Sequence, residues 1–420
     1  MLLQAVADGP SGLRDEQIED LLSTALEGVV ADERLLVLIP DGTRTIPLPR
    51  LFPMLVRALR RARSIEVMVA LGTHPPLSRQ RLLALLGVGP EQLTTQLSRC
   101  SFGNHAWSDP EALQRIGSIS GERVREIAGD FWHPSLGDGA EVRINRAALE
   151  ADRIVILGPT YPHEVAGFSG GAKYLFPGIS GPEMIDVTHW LGALAGIMRT
   201  IGVKNTPVRR LIHEATRCLA TRVSLIDVVL HEDELRGMFI GDVEETWSAA
   251  ADLSAQLHIV SLDRPLEHVI SWAPSMYADL WTAGKAMYKL EPALADGAEI
   301  IIYAPHLDAI SPVHGALIRD IGYHVLPYFL KRWDRFSQVP LGVLAHSTHV
   351  KGAGTYDKGT ERPRVQVKLA SRISREETEA LNLGYVDPAT IDPHHVGPGV
   401  TLIPKAGEVL YRVSSGTQAS

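Results

Sequence analysis

The sequence predicts an α/β protein of two domains, each built on a mostly parallel sheet. Two observations support this prediction. Short apolar runs that are typical of buried strands alternate with segments whose apolar residues recur at helical spacing, and this alternation indicates parallel sheets covered by helices on both faces. The chain is also 420 residues long, beyond the size at which one hydrophobic core usually keeps growing.

The first half of the chain carries the clearest alternation. Residues 154–157 form an uninterrupted apolar run, which is the pattern of a strand buried on both faces. Residues 51–63 instead place apolar side chains on one face and arginines on the other, as an amphipathic helix does. The predicted strands of this half are residues 35–40, 65–71, 154–157 and 223–230, and the predicted helices are residues 51–63, 77–86 and 209–221.

The second half begins a new set of elements. The segment 253–265 is the expected crossing between the two domains. At the end of the chain, residues 400–404 and 409–413 flank Gly407 and predict a terminal hairpin. The predicted strands between these segments are residues 268–272, 300–303 and 341–345.

Composition and charge exclude several classes of protein. The net charge is −8, and the 41 Lys and Arg residues form no long basic stripe, which argues against nucleic-acid binding. No apolar run approaches the length of a membrane span, and the amino terminus lacks the basic and apolar regions of a signal peptide. Cys100 and Cys218 are too few for a disulfide framework or a thiolate zinc site. We therefore expect a cytoplasmic protein that contacts neither membranes nor nucleic acids.

The most informative segment runs from His163 to Lys173 and closes at residues 176–178. It follows the apolar run 154–157, and loops at the carboxyl ends of strands are where open α/β sheets bind ligands. Its glycines let the backbone approach an anion, its lysine offers a charge or a nucleophilic amine, and its histidine offers a proton shuttle or a metal ligand. The spacing of a P-loop is missing. A tight turn with an incidental lysine is the alternative interpretation.

Polar residues also follow the other strands of the predicted sheet. Residues 41–44 (Asp-Gly-Thr-Arg) come after the first strand, residues 72–74 (Gly-Thr-His) after the second, and His163 after the third. Because the carboxyl ends of parallel strands meet at one edge, we expect these loops to converge. Together they offer two histidines for proton transfer and an arginine for a carboxylate or phosphate. Taken singly, Asp41 is also typical of a helix cap and His74 of a proline turn.

These motifs resemble those of the nickel-pincer-nucleotide-dependent lactate racemase family over most of the chain. Residues 163–178 match the family signature H-x-x-A-G-F-S-G-G-x-K-x-x-x-P-G, and His189 stands at the expected spacing. Residues 41–44 match its D-x-T-R loop, and residues 72–76 match its G-x-H-x-P loop. The resemblance implies two α/β domains with mostly parallel sheets and the active site in the cleft between them.

The resemblance also implies domain limits and an activity. Residues 1–260 would form a cofactor-binding domain to which residues 399–420 return, and residues 261–398 would form the second domain. The implied enzyme is an isomerase that inverts the C2 hydroxyl carbon of a 2-hydroxy acid by reversible hydride transfer to a covalently bound nickel-pincer nucleotide. The enzymes that synthesise this nucleotide would then be partners of the protein.

Individual roles follow from the same resemblance. Lys173 would carry the nucleotide as a covalent thioamide, and His189 would be the protein's nickel ligand. His74 and His163 would be the acid/base pair, one for each face of C2, because the two enantiomers present their hydroxyls oppositely; their unperturbed pKa values of ~6.5 suit both protonation states. The further residues that the resemblance assigns to cofactor binding are Asp41, Thr43, Arg44, Gly170 and Gly171.

The second domain would supply part of the substrate site. Lys285 lies where the family's substrate-side lysine is expected, next to Trp281 and Thr282. Thr282 stands where lactate racemases often carry glutamine, Trp281 replaces a smaller aromatic residue, and Ala172 stands where the lactate enzyme carries a basic residue. These departures predict a substrate other than lactate, an aromatic or polyol 2-hydroxy acid. Arg44 is a further candidate for binding the substrate's carboxylate.

Other interpretations of these residues stay open. Within the family, the alternative is a sugar-acid 2-epimerase. A zinc hydrolase could use His74, His163 and His189 as ligands and Asp41 as a base. A non-catalytic protein could bind a hydroxy acid in the same cleft. The sequence also leaves open the oligomeric state, with a homo-oligomer as one option, and the roles of His105, His346 and His349.

Overall fold

A computed structural model describes residues 1–26, 31–95 and 97–414 of the chain. The strands are, in order, β1 (Leu3–Val6), β2 (Arg34–Ile39), β3 (Ser64–Val69), β4 (Cys100–Asn104), β5 (Leu113–Ser120), β6 (Gly139–Asn145), β7 (Arg153–Pro159), β8 (Pro162–His163), β9 (Gly167–Phe168), β10 (Arg222–His231), β11 (Glu234–Gly241), β12 (Ile259–Leu262), β13 (Leu266–Trp272), β14 (Leu294–Tyr303), β15 (Gly354–Asp357), β16 (Thr360–Pro363), β17 (Gln366–Ala370), β18 (Gly384–Tyr385), β19 (Val400–Ile403) and β20 (Leu410–Val413).

Helices separate most of these strands. The α-helices are α1 (Asp15–Leu26), α2 (Leu48–Ala58), α3 (Arg79–Leu85), α4 (Pro90–Thr94), α5 (Gly121–Ala128), α6 (Ala147–Glu150), α7 (Pro182–Ala195), α8 (Ile197–Thr200), α9 (Pro207–Thr216), α10 (Val243–His258), α11 (Leu280–Ala283), α12 (Lys285–Tyr288), α13 (Gly315–Ile321), α14 (Leu326–Leu330), α15 (Trp333–Phe336), α16 (Leu341–Lys351) and α17 (Arg375–Ala380). Short 3₁₀ helices lie at Pro110–Ala112, Gly129–Phe131, Pro134–Leu136, Gly171–Tyr174, Glu291–Ala293 and Pro388–Thr390.

The first domain is built on a seven-stranded sheet with the order β1-β11-β10-β7-β2-β3-β4. The strands from β10 to β4 are parallel, and β11 and β1 add an antiparallel edge. Successive residues of β2 face opposite cores, with Leu36 and Leu38 on one side and Val37 and Ile39 on the other. Because both faces are covered, the central strands are apolar throughout, which is why their sequence showed no alternation.

The second domain is built on a five-stranded sheet with the order β18-β17-β14-β13-β19, in which all neighbours are parallel. The predicted fold class, two α/β parts with mostly parallel sheets, is thereby confirmed. In the region of the predicted crossing, α10 ends at His258 and β12 begins at Ile259. The predicted boundary between residues 260 and 261 falls inside β12, which pairs with β20 rather than with either large sheet.

The prediction of a strand at residues 341–345 is wrong. This run is the first part of α16, which continues to Lys351 and is buried on all sides from Gly342 onward. A helix buried all round has no polar face, so its sequence lacks the 3.6-residue period that identifies an amphipathic helix. A short apolar run fits a strand and a buried helix equally well, and here the tertiary contacts decide.

The predicted terminal hairpin is also wrong. Its first strand, β19, pairs in parallel with β13 in the second sheet, and its second strand, β20, pairs in parallel with β12. The two strands therefore join different sheets and do not pair with each other. The expected return of residues 399–420 to the first domain does not hold for β19, and residues 415–420 lie outside the described residues.

The two domains meet along α7 and α16. The backbone N–H of Gly342 at the start of α16 donates to Asp186 Oδ1 on α7 at 2.8 Å. Farther along the interface, Lys289 Nζ donates to the carbonyl of Pro162, just before His163. In the described part of the chain, no helix is both long enough and apolar enough to cross a membrane.

Candidate active site

A cavity lies between the two domains, where strands β2, β3 and β7 end. It encloses about 1090 Å³ when the part open to solvent is included. The loops after the three strands line it from the first domain, and residues of α11, α12 and α16 line it from the second. The residues expected in the site that line this cavity are Asp41, Thr43, Arg44, His74, His163, Gly170, Lys173, His189, Trp281 and Lys285.

His74 and Asp41 form a hydrogen-bonded pair at the cavity. His74 Nδ1 bonds Asp41 Oδ2, while the Thr43 hydroxyl donates to the other carboxylate oxygen at 2.7 Å. Burial raises the pKa of Asp41, but the His74 imidazole and these hydrogen bonds outweigh burial and hold it below its ordinary value. An ionised Asp41 fixes the proton of His74 on Nδ1, so Nε2 keeps a lone pair and can act as a base. The family resemblance assigned Asp41 to the cofactor and did not include its pairing with His74.

His163 has the opposite arrangement. Its buried ring accepts hydrogen bonds at Nδ1 from the backbone N–H groups of Val165, at 3.1 Å, and Ala166, at 3.4 Å. A nitrogen that accepts from N–H groups carries no proton, so the hydrogen bonds assign the proton of the neutral ring to Nε2. Glu164 Oε2 lies 3.5 Å from the same Nδ1, but without a proton there the contact is not an ion pair. Burial, followed by the charge of Lys173, holds the pKa of His163 far below its ordinary value.

Gly170 and Gly171 form the tight turn before Lys173. Their φ angles are +74° and +60°, a region that favours glycine. A Cβ on Gly170 would lie 2.0 Å from Thr160 Oγ1, and a Cβ on Gly171 would lie 2.7 Å from the Trp247 ring. Larger residues therefore cannot fit without moving the turn. Gly170 lines the cavity, whereas Gly171 packs against Trp247 behind it.

A buried pair of side chains, which we call the Arg209 clamp, holds this turn from behind. Arg209 of α9 donates to the carbonyls of Phe168 and Gly170, and its guanidinium lies 4.0 Å from the centre of the Trp247 ring. Trp247 Nε1 in turn donates to the carbonyl of Ser169 at 2.8 Å. Three successive carbonyls are thus fixed. The sequence prediction missed this clamp, for which the only signal is an arginine among the buried apolar residues of α9.

Lys173 presents an unpaired amine to the cavity. Within the described residues, no side chain forms an ion pair or hydrogen bond with its Nζ. Burial, followed by the charge of Arg44, lowers the pKa of Lys173 to about 8. A lysine with a lowered pKa has a larger neutral fraction and is a better nucleophile near neutral pH.

His189 lies on α7 with one ring nitrogen engaged and one available. Its Nδ1 donates to the carbonyl of Ile185, one turn earlier, at 2.6 Å. Metal-binding histidines usually donate their other ring N–H to a carbonyl or carboxylate in this way, which orients the ring. Burial, followed by the charge of Lys173, lowers the pKa of His189 to about 4. The ring is therefore neutral at ordinary pH, and its Nε2 offers a lone pair at the cavity.

The second-domain residues expected to bind substrate differ in their placement. Lys285 lines the cavity with its Nζ 4.7 Å from the centre of the Tyr277 ring, and burial followed by the charge of Arg44 lowers its pKa to about 7. Trp281 also lines the cavity. Thr282 does not, because its hydroxyl donates to Asp279 Oδ1 at 2.7 Å and its backbone N–H bonds the same oxygen. Asp279 therefore caps α11 by accepting from Thr282, and Thr282 does not line the cavity.

The sequence prediction missed two buried charged residues, one in the cavity and one at the domain interface. Glu164 lines the cavity, although the motif around it had suggested a role only for its neighbours. Lys289 is fully buried at the domain interface, where burial lowers its pKa to about 7 while the charge of Glu164 opposes that change. No pattern in the sequence around Lys289 distinguishes it from a solvent-exposed lysine.

The structure also places the three histidines whose roles were open. His346 and His349 lie on α16 and line the cavity. His105 lies outside it, where its Nε2 bonds the Ser180 carbonyl at 3.0 Å and its Nδ1 accepts from the Asn145 side chain at 3.1 Å. His105 therefore ties loops of the first domain together.

A zinc hydrolase is not favoured by this geometry. Among residues 1–26, 31–95 and 97–414, no group of three or more His, Cys, Asp or Glu side chains is placed to hold a metal ion. His74, His163 and His189 share the cavity, but they do not form the three-ligand set that a catalytic zinc needs.

The fold and the site together define a two-domain α/β protein whose interdomain cavity is lined by His74, His163, His189 and a lysine of lowered pKa, Lys173. A model of the lactate racemase N-terminal domain matches residues 15–128 and 135–198. The lactate racemase of Thermoanaerobacterium thermosaccharolyticum is 27% identical over 311 residues, which cover 69% of this chain and 66% of that protein. The lactate racemase of Lactiplantibacillus plantarum is 28% identical over 293 residues, which cover 67% and 62%. The chain is therefore a homologue of the lactate racemases.

Two solved structures are similar to the chain. A protein of Thermotoga maritima is 32% identical to this chain and has a TM-score of 0.89. The match covers 96% of this chain and 99% of that protein. The lactate racemase apoprotein of Thermoanaerobacterium thermosaccharolyticum is 21% identical and has a TM-score of 0.67. The match covers 94% of this chain and 93% of that one and shows a shared fold. The sequence matches span slightly less than two thirds of the two curated lactate racemases.

Proposed function

We propose that the protein is a racemase or epimerase that inverts C2 of a 2-hydroxy acid, using a nickel-pincer nucleotide bound covalently at Lys173. The observation that carries the proposal is that one cavity presents two imidazoles in opposite proton states. Nε2 of His74 accepts a proton, whereas Nε2 of His163 holds one. Inversion requires such a pair, because the proton leaves from one face of C2 and returns from the other. Similarity to the lactate racemases supports this type of reaction.

The residues present fit this cofactor. The amine of Lys173, with its pKa lowered to about 8, suits a covalent thioamide link. A pincer that supplies one carbon and two sulfur donors needs one further ligand for square-planar nickel, and the neutral Nε2 of His189 can provide it. Gly170 lines the cavity and has no side chain, so its backbone is open to a bulky group. Thr43, Arg44 and the glycine turn would hold the nucleotide.

When bound, the cofactor supplies an acceptor that takes a hydride from C2 and gives it back. The chain supplies the proton transfers and the orientation. Nε2 of His74 takes the hydroxyl proton from one enantiomer, and its imidazolium is stabilised by the ionised Asp41. The resulting 2-oxo acid is planar at C2. For the return step His163 must first take up a second ring proton; Nε2 then gives one proton to the oxygen on the opposite side and leaves the ring neutral, while His74 releases the proton that it took.

Positive charge orients the substrate. Arg44, Lys173 and Lys285 line the cavity, against the two carboxylates of Asp41 and Glu164. Once Lys173 is acylated, Arg44 and Lys285 remain to bind anionic groups. Arg44 keeps its charge because nearby acidic and tyrosyl groups outweigh burial and raise its pKa. We therefore assign the substrate's carboxylate, and the cofactor's phosphate, to these two side chains.

The test is to produce the protein in a host that makes the pincer nucleotide and to follow a panel of single-enantiomer 2-hydroxy acids by chiral chromatography. We expect at least one acid to be converted to its mirror or epimeric form, together with an adduct in the intact mass. Lys173→Ala is the matched control and should show neither. Loaded protein that inverts none of the acids would contradict the proposal, and binding without turnover would favour the non-catalytic alternative.

The proposal carries two further expectations. The enzymes that build the nucleotide are expected partners, because the chain must receive its cofactor from them. A cytoplasmic location agrees with the low cysteine content, since reducing compartments rarely hold disulfides.

A further inference from the structure

Glu164 is a largely buried carboxylate at the cavity to which the proposed reaction gives no role. Its side chain is 12% exposed, and its Oε2 has no hydrogen-bond partner among the described residues. Burial raises the pKa of Glu164, but the charges of Lys289 and Arg44 outweigh burial and hold the pKa below its ordinary value. Buried polar atoms without a partner are rare, because each one lowers stability. An ionised oxygen in this position is available to a donor that forms during the reaction.

His163 is the group that can present such a donor. Oε2 of Glu164 lies 3.5 Å from Nδ1 of the His163 ring. The backbone N–H groups of Val165 and Ala166 donate to the same nitrogen, which places the proton of the neutral ring on Nε2. Nδ1 therefore faces two donors and one acceptor, and the acceptor is the carboxylate of Glu164.

The proposed reaction requires a proton on Nδ1 of His163. When His163 acts as the acid, its ring carries two protons, and the one that stays after Nε2 has given its proton away is on Nδ1. When His163 acts as the base, Nε2 must be free to take the hydroxyl proton, so the single ring proton is again on Nδ1. A backbone N–H cannot accept a hydrogen bond from Nδ1–H, whereas a carboxylate oxygen can. Hydrogen bonds to an ionised group are roughly twice as strong as neutral ones, so one bond to Glu164 can replace the two that Nδ1 loses.

The positive charge around His163 makes this acceptor necessary. Burial, followed by the charges of Lys173, Arg44 and Lys289, opposes a second proton on the ring and holds its pKa far below the ordinary value. Acylation of Lys173, which the proposed function requires, removes the charge of that lysine. The ionised carboxylate of Glu164 beside Nδ1 then acts as the counter-ion of the imidazolium.

We propose that Glu164 is the positioning residue of His163, as Asp41 is of His74. Its Oε2 accepts a hydrogen bond from Nδ1 whenever that nitrogen carries a proton, which leaves Nε2 to exchange a proton with the substrate's hydroxyl group. The inference rests on the proposed function, because proton transfer at that hydroxyl is what requires the proton on Nδ1. The two pairs differ before the reaction. The bond between His74 and Asp41 is already formed, whereas at His163 two backbone groups bond Nδ1 until a proton arrives there.

The first test is the half-reaction of the loaded protein with each pure enantiomer of an acid that it inverts, followed as bleaching of the cofactor absorption. Glu164→Gln should slow bleaching at least about tenfold, and up to about 10⁴-fold, with the enantiomer whose hydroxyl faces His163, because an amide beside Nδ1 favours the wrong tautomer. His163→Gln identifies that enantiomer. Bleaching with the other enantiomer, for which His74 is the base, should change little.

The two enantiomers separate positioning of His163 from a general effect on the cavity. A change in charge or packing alone would slow both half-reactions alike, and equal losses in Glu164→Gln would overturn the inference. Glu361→Gln is the matched control, because Glu361 Oε2 lies 2.8 Å from Nδ1 of His324 and both residues lie outside the cavity. This control should leave both half-reactions unchanged.

The second test does not need the cofactor. In cofactor-free protein whose histidine rings are labelled with the heavy nitrogen isotope, nuclear magnetic resonance shifts report which ring nitrogen holds the proton. Glu164→Gln should move the His163 signals toward a proton on Nε2 alone, and the spectrum of His163→Gln identifies these signals by their loss. Unchanged signals would overturn the inference. Loaded protein that bleaches with neither enantiomer and inverts no acid would refute the proposed function, and the resonance shifts would then decide the pairing of Glu164 with Nδ1 by themselves.

Discussion

Lys173 is the residue whose environment changes its chemistry most directly. Because burial and Arg44 lower its pKa to about 8, its amine becomes neutral over a pH range in which ordinary lysines stay protonated. We expect acetylation of Lys173 by dilute acetic anhydride in the cofactor-free protein to rise with a midpoint near pH 8. Peptide mass spectrometry measures this, with the exposed Lys358 as the reference in the same digest. A midpoint above about pH 10, the usual range for lysine, would show that the amine is not activated.

His189 tests the metal separately from the nucleotide. If its Nε2 is the protein's nickel ligand, His189→Ala should keep the mass adduct at Lys173 and lose most of the nickel, because the pincer alone leaves one coordination position open. Elemental analysis with intact-mass measurement separates the two effects. His105→Ala is the control, since that ring is bonded within the first domain and lies outside the cavity. Undiminished nickel in His189→Ala would assign the ligand elsewhere.

The two half-reactions are separable if His74 is the base for one enantiomer and His163, in the tautomer that leaves its Nε2 free, is the base for the other. His74→Gln should lose cofactor reduction with the enantiomer whose hydroxyl faces His74 and keep much of it with the other, and His163→Gln should show the reverse. Loss of a general base typically costs about 10²–10⁴-fold. Bleaching of the cofactor absorption after mixing with each pure enantiomer measures the effect. Variants that bleach equally with both enantiomers would leave the two histidines only an orienting role.

At the scale of elements, the glycine turn shows that neighbouring atoms, and not only a positive φ angle, can exclude a larger residue from a position. Gly170 and Gly359 both have positive φ, +74° and +83°, but only at Gly170 would a Cβ collide with a neighbour, Thr160. Ala at Gly359 should cost about 1–2 kcal/mol through left-handed strain alone. Ala at Gly170 should cost more, and it should also slow adduct formation at Lys173 because the turn shifts.

Thermal unfolding and the rate of adduct formation measure this pair of variants. Gly359→Ala should leave the adduct rate unchanged, because residue 359 lies in the β15–β16 turn, away from the cavity. Equal destabilisation in both variants and equal adduct rates would mean that the turn accommodates the methyl group.

At the scale of the whole molecule, burying the charge of Lys285 in the cavity lowers the free energy of unfolding. Burial and Arg44 lower the pKa of Lys285 to about 7, whereas an unfolded lysine titrates near ~10.4. Between these values the unfolded chain binds more protons than the folded one, so the free energy of unfolding should rise with pH from about 7 to 10.

Lys285→Met tests this cost directly. It should raise the unfolding free energy at pH 7 by at least about 1 kcal/mol, the value of roughly one pKa unit, and flatten its rise toward pH 10. Urea unfolding at pH 7 and pH 9 measures both effects, with the exposed Lys358→Met as the control. A variant less stable than the parent at both pH values would indicate that packing of the lysine outweighs the cost of its charge.

The architecture and most of the candidate site could be predicted from the sequence. Alternation of apolar runs and helical periods predicted parallel sheets, because helices on both faces leave the strands no polar side. Loops after parallel strands meet at one edge of the sheet, so the sequence alone predicts that Asp41, His74 and His163 lie near one another. The resemblance of residues 163–178 to a family signature added the candidate anchor, Lys173.

Only the tertiary structure decided the features that depend on contacts between residues distant in the sequence. Whether residues 341–345 form a strand or a helix, and whether β19 and β20 pair, depends on surfaces that the local pattern does not contain. The proton states of His74 and His163 depend on a carboxylate and on two backbone N–H groups. The Arg209 clamp, the burial of Lys289 and the unpaired Nε2 atoms of His346 and His349 likewise arise only when separate segments fold together. Burial and hydrogen bonding are properties of an assembled environment and not of a residue type.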